Sequence, residues 1–194
     1  MEGAKRIFLL DKSGSMDIRL EDTIGGFNSF VRSQVPLGGD LSLYTFSDTF
    51  HCEYRDKPIE EVPLLDENNY IPGGNTALFD SMGHILKTHD HIGTFVILTD
   101  GQENSSRKYT KAHIKDLIEA SQLDVIYIGC DIEQMTDVGI KHTIYYDGAR
   151  TPDVLRTVSE SVSANVVRLT QSQTPTQVCS TEAIDSRNRR CTSL

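Results

Sequence analysis

Asp11, Ser13 and Ser15 occupy alternate positions in the run Leu9-Leu10-Asp11-Lys12-Ser13-Gly14-Ser15-Met16. In an extended turn such residues point to one side while Lys12 and Gly14 point to the other. Glycine at position 14 lets the backbone bend close to a ligand. A second run, Ile97-Leu98-Thr99-Asp100-Gly101, also ends an apolar stretch in an aspartate, and between the two Gly73-Gly74-Asn75-Thr76 opens a helical pattern. Asp11, Ser13, Ser15, Thr76 and Asp100 together offer two carboxylates and three hydroxyls. All are oxygen donors, which suits a hard divalent cation. Mg2+ fits best because it accepts few carboxylates and keeps waters, with Mn2+ or Ca2+ as alternatives. No His or Cys lies in these segments, which speaks against zinc. Singly, Ser-Gly-Ser is an ordinary turn, Thr76 an ordinary helix cap and Asp100 a turn residue. Their shared place at strand ends is what points to a metal.

The elements that must carry these residues alternate between strand and helix. Arg6 to Leu10, Thr94 to Leu98 and Val125 to Ile128 are short, nearly continuous apolar runs, as expected of strands buried on both faces. Residues 41–47 and 50–54 form two strand-like stretches separated by a short polar turn, which predicts a hairpin and one antiparallel strand. Leu20, Ile24, Phe27 and Val31 recur at helical spacing, weakened by Gly25 and Gly26. Further helices are predicted from near Thr76, with Leu78, Met82, Ile85, Leu86 and His89 on one face, around Ile114 to Ser121, over Glu133 to Val138, and from Val154 to Leu169 after Thr151-Pro152. A last strand is predicted over Thr143 to Tyr146. Buried strands separated by helices make a mainly parallel sheet with helices on both faces, and ligands of such sheets sit at the C-terminal strand ends. Asp11 and Asp100 both fall there.

Asp-x-Ser-x-Ser, the helix-opening Thr76 and the later Thr99-Asp100-Gly101 resemble the metal-ion-dependent adhesion site of von Willebrand factor A domains. The resemblance covers about residues 4–169 and implies a doubly wound sheet of six strands in the order 3-2-1-4-5-6, with strand 3 antiparallel. It implies Ser13, Ser15 and Thr76 as direct or near-direct ligands, and Asp11 and Asp100 as ligands directly or through water. It also implies a coordination position left for a carboxylate of a protein partner. Lys12, Glu103 and Asn104 are candidates for the partner-facing rim; the plainer readings are a solvated loop for Glu103 and Asn104 and a surface ion pair for Lys12.

The chain has 194 residues with 38% hydrophobic and 24% charged, enough for one sizeable core, read as a domain over 1–169 and a polar tail over 170–194. A net charge of −9 argues against nucleic-acid binding and leaves room for a cation. No apolar run approaches a membrane span. The short apolar run after Arg6 is below signal-peptide length, so the expected location is cytoplasmic, or the virion for a viral source. Cys52, Cys130, Cys179 and Cys191 show no CxxC pairing and are expected as free thiols. Cys191 stands four from the end behind Arg187, Arg189 and Arg190, a formal prenylation pattern without the aliphatic residues; a basic tail docking on an acidic surface is the plainer reading. His89-Asp90-His91 is read as loop, not as a metal pair.

The expected function is a non-enzymatic module in which a divalent cation bridges to an acidic residue of a protein partner, in assembly, scaffolding or regulation of a complex. Two alternatives stand beside it. One is a structural component of a large assembly such as a virion capsid, held by its tail and helix faces. The other is a metal-dependent hydrolase using water held at Asp11 and Asp100, for which the sequence marks neither base nor substrate pocket.

Overall fold

The structure, a computed structural model, describes residues 4–146 and 156–164. Six strands form one sheet: β1 (Lys5–Asp11), β2 (Asp40–Phe46), β3 (Phe50–Pro58), β4 (Gly93–Leu98), β5 (Leu123–Gly129) and β6 (His142–Tyr145). Their order is β3-β2-β1-β4-β5-β6. All neighbours are parallel except β2 and β3, the predicted hairpin. Helices α1 (Leu20–Gln34), α2 (Leu78–Thr88), α3 (Lys111–Ala120) and α4 (Ile132–Asp137) connect the strands, and α5 covers 156–164. Only Val158 and Val162 of the predicted final helix face can be placed, both buried. The tail from 170, Cys179 and Cys191 lie outside the described residues.

Alternation along each central strand explains the continuous apolar runs. Phe8 and Leu10 of β1 pack with Phe27, Phe30 and Val31 of α1 and Val158 and Val162 of α5 on one face. Ile7 and Leu9 pack with Leu78, Met82 and Ile85 of α2, Ile114 of α3 and Met135 of α4 on the other. Each strand residue therefore has an apolar layer to enter whichever way it points. The antiparallel β3 lies at the sheet edge and is mostly exposed; its Glu53, Arg55, Asp56 and Lys57 discourage pairing with another edge.

Arg6 departs from the apolar pattern. Its side chain is buried, donates from Nε to Gln34 Oε1 (3.1 Å) and from Nη1 to the Gly38 carbonyl (2.8 Å), and burial lowers its pKa to about 10. Gln34 in turn donates to the Ser159 carbonyl and Ser163 Oγ, which ties α5 to the start of β1.

Gly83, inside α2, has a packing reason. A Cβ there would lie 2.5–2.6 Å from Cγ, Cδ1 and Cδ2 of Tyr109, so the ring of Tyr109 rests flat on the glycine. Gly83→Ala is expected to lower stability by about 1–2 kcal/mol, overpacking outweighing the gain in helix propensity. A thermal melt checks this; an unchanged or raised midpoint would contradict the packing.

Candidate metal centre

The C-terminal ends of β1 and β4 lie side by side because the two strands pair directly, which brings Asp11 next to the Thr99-Asp100-Gly101 turn. Thr99 Oγ1 donates to Asp11 Oδ2, and the Ser13 N–H donates to Asp11 Oδ1 at 2.7 Å. Ser15 Oγ donates to Asp100 Oδ1 at 2.6 Å and lies 3.2 Å from Ser13 Oγ. Tyr70, buried under the loop, donates its hydroxyl to the Asp11 carbonyl at 2.5 Å.

Gly101 shows where these groups converge. A Cβ built on it would lie 3.0 Å from Thr76 Oγ1, 3.7 Å from Asp11 Oδ2 and 3.7 Å from Ser15 Oγ. Three of the five predicted donors thus surround a single point, and Ser13 and Asp100 are joined to it through Ser15. Asp11, Ser13 and Thr76 are buried and form the floor; Ser15 is exposed and Asp100 half-buried, so the cradle is open to solvent. Among the described residues no three His, Cys, Asp or Glu side chains gather in a metal-binding group. The donor set here is two carboxylates and three hydroxyls, which fits a hard divalent ion.

Helix capping accounts for the free hydroxyls. Ser13 precedes a 3-10 turn over Gly14–Arg19, and its side chain makes no cap hydrogen bond. The sequence places a helix start near Thr76, but α2 begins at Leu78, again without a side-chain cap from its N-cap residue, Ala77. The orphan N–H groups are satisfied by residues 103–106 instead. Asn104 Oδ1 accepts from the Thr76 N–H (2.9 Å), Glu103 Oε2 from Phe79 (2.8 Å) and Ser106 Oγ from Asp80 (3.0 Å). Capping by a distant loop leaves Thr76 Oγ1 free to face the cradle.

This gives Glu103 and Asn104 a role that sequence alone did not reveal. Both were candidates for a partner-facing rim. The Glu103 carboxylate also accepts from the N–H groups of Ser105 and Ser106 and from Ser106 Oγ, so it is committed inside the loop. Asn104 is exposed but its carbonyl oxygen is engaged by Thr76. Lys12 is half-buried, with its backbone held by Phe46 and Gly73. Thr99, Gly101 and Tyr70 also belong to the site. The Thr99-Asp100-Gly101 turn pointed to the first two, whereas nothing marked Tyr70. His89, the last residue of the predicted apolar helix face, is buried where α2 closes, with Nε2 2.8 Å from Tyr44 Oη.

Burial pushes the Asp11 carboxyl up to about 6, opposed by hydrogen bonds from Thr99 and Ser13 and reinforced by the nearby Asp100 charge. A buried carboxylate without a cation is thus electrostatically uncomfortable at neutral pH, as a cation ligand should be. Burial likewise raises the thiol pKa of Cys130, whose Sγ lies 3.6 Å from the Asp100 carbonyl. Cys52 and Cys130 are both free thiols.

No family model and no curated protein matches the sequence. Solved structures do. Proximal thread matrix protein 1 from the mussel byssus is 15% identical, with a TM-score of 0.62, over 83% of this chain and 46% of its own. A von Willebrand factor type A structure from Catenulispora acidiphila is 17% identical, with a TM-score of 0.57, over 81% of this chain and 42% of its own. VWA2 from Sulfolobus acidocaldarius, a paralog of ArnB, is 18% identical, with a TM-score of 0.62, over 82% of this chain and 45% of its own. The fold is that of a von Willebrand factor A domain. The chain spans less than half the length of these structures. In another structure of the mussel protein the metal-ion-dependent adhesion motif is occupied by zinc. In the von Willebrand factor A fold of this chain the cradle lies at the end of the sheet where β1 and β4 finish, the position the doubly wound topology offers to ligands. Among the described residues no helix is long and apolar enough to cross a membrane.

Proposed function

We propose that the chain is a divalent-cation-dependent protein-interaction module, without catalytic activity of its own. The observation that carries this reading is the convergence of Thr76 Oγ1, Asp11 Oδ2 and Ser15 Oγ on one solvent-open point beside Gly101. Asp11, Ser13, Ser15, Thr76 and Asp100 would hold the ion, with Mg2+ the best match to the donors and zinc the ion known from the mussel protein. The ion supplies a positive centre able to accept a further oxygen anion. Most of the donors are neutral hydroxyls, so a bound divalent ion would keep enough Lewis acidity to take an Asp or Glu side chain of a partner. Thr99 and Tyr70 act on the chain's own side by fixing the Asp11 carboxylate and carbonyl. The loop over 103–106 keeps Thr76 presented. The role in assembly, scaffolding or regulation follows from a surface that recognises a partner only when loaded.

Retention of a protein partner by the immobilised full chain tests this. Binding in Mg2+ that is lost in chelator, and lost with Asp11→Ala, is the expected result. Equal retention in both conditions would overturn it and favour a structural module held by other faces.

A further inference from the structure

A cavity lies away from the cradle, between α2 and α3. Lys87, Lys108, Tyr109, His113, Asp116 and Leu117 line it, and its volume is about 320 Å³. Lys87 Nζ and Lys108 Nζ stand 5.3 and 5.2 Å from the centroid of the same Tyr109 ring. Gly83 packs against that ring, and both lysines line the same cavity as it. Two like charges sharing one centroid lie within about a Debye length and repel. A contact with the ring offsets little of that repulsion at an exposed site. Neither lysine forms an ion pair among the described residues. Asp80 senses the Lys108 charge, but its carboxylate oxygens accept from the N–H groups of Arg107, Lys108 and Tyr109.

Two further features suit an anion. The backbone N–H of Thr110 donates to His113 Nδ1, which places the ring proton on Nε2 as a donor. The cavity also borders the first turn of α3, a ten-residue helix whose N-terminal dipole favours anions. Asp116 is the opposing charge on the wall. Screening confines the overall charge of −9 to a background, so this local cluster governs what enters.

We infer that the Lys87, Lys108 and His113 cavity over Tyr109 binds a phosphate group, free or carried as a monoester on a small molecule. The inference does not depend on the metal site.

Amide shifts in NMR spectra of the full chain test it, in chelator so that no phosphate reaches a cation at Asp11. The probes are inorganic phosphate and glycerol 3-phosphate at constant ionic strength, up to about 20 mM, the range of a weak two-cation site. Saturable shifts at Lys87, Lys108, Tyr109 and His113 are expected. Binding should weaken at least about tenfold, which is 1.4 kcal/mol, in the Lys87→Gln/Lys108→Gln double variant and strengthen in Asp116→Asn. Inorganic phosphate binding more tightly assigns the site to the free ion; glycerol 3-phosphate binding as well or better assigns it to monoesters. Absence of saturable shifts from a double variant and wild type that both retain folded spectra, or equal shifts in the two, would overturn the inference.

Discussion

Asp11→Asn is expected to abolish divalent-cation binding while making the metal-free protein more stable at pH 7.5 than the wild type. The two effects share one cause. Asp11 is fully buried at the end of β1, and burial raises its carboxyl from an ordinary value near 3.8 to about 6. A group whose pKa is higher in the folded chain contributes stability that is fully present below its unfolded value and is lost as pH rises through the folded one. In the absence of metal, the Asp11 contribution is therefore complete below about pH 4 and gone above about pH 6. The difference is worth roughly 3 kcal/mol. Asparagine keeps an acceptor for Thr99 or Ser13 and removes the charge. Measured from pH 4 to 8 in chelator, the stability of wild type minus that of the variant should fall across this window. With saturating Mg2+ the order reverses at neutral pH, because binding to the folded state alone stabilises the wild type by mass action. A variant less stable than wild type throughout, in chelator, would show that the hydrogen bonds of the carboxylate outweigh its buried charge.

Gly101→Ala should block the cation without unfolding the chain. The added methyl would stand 3.0 Å from Thr76 Oγ1 and 3.7 Å from both Asp11 Oδ2 and Ser15 Oγ, at the point where the donors meet. Its only tight contact is a hydroxyl that can yield by a few tenths of an ångström. Gly101 is not among the residues with positive φ, so alanine fits the backbone. Cation affinity is expected to fall at least about a hundredfold, equivalent to about 2.7 kcal/mol, with the metal-free melting midpoint unchanged or slightly raised. Calorimetric titration and a thermal melt report the two parts separately. Undiminished affinity would place the ion elsewhere.

The fold and the ligand set are exposed in the amino-acid sequence; the groups that support the ligands are not. The three central strands were legible because β1, β4 and β5 are covered by helices on both faces and must be apolar throughout. The hairpin was legible from two strand-like stretches across a three-residue turn, and β3 runs antiparallel as expected. The ligand set was legible because hydroxyls and carboxylates recur at strand ends. The supports of that set were not. Tyr70 reaches the Asp11 carbonyl from a loop 59 residues away, and its identity alone gives no hint of it. Glu103 and Asn104 look like solvent-facing loop residues, yet Glu103 accepts from the Phe79 N–H in the first turn of α2 and Asn104 from the Thr76 N–H just before it. Local patterning puts the helix start near Thr76; this long-range capping moves it to Leu78 and frees the threonine. Arg6 sits in an apolar run as a buried cation because Gln34 and the Gly38 carbonyl, distant in sequence, accept from it together with the nearby Ala4 carbonyl.

The central claim is that one divalent ion is held in the cradle formed by Asp11, Ser13, Ser15, Thr76 and Asp100. Electron paramagnetic resonance of Mn2+, titrated against wild type, Asp11→Asn and Gly101→Ala, tests it most directly. The account predicts one displaceable Mn2+ per wild-type chain, competed by Mg2+, and none in either folded variant. Equal Mn2+ binding by all three proteins, or none by the wild type, would contradict it.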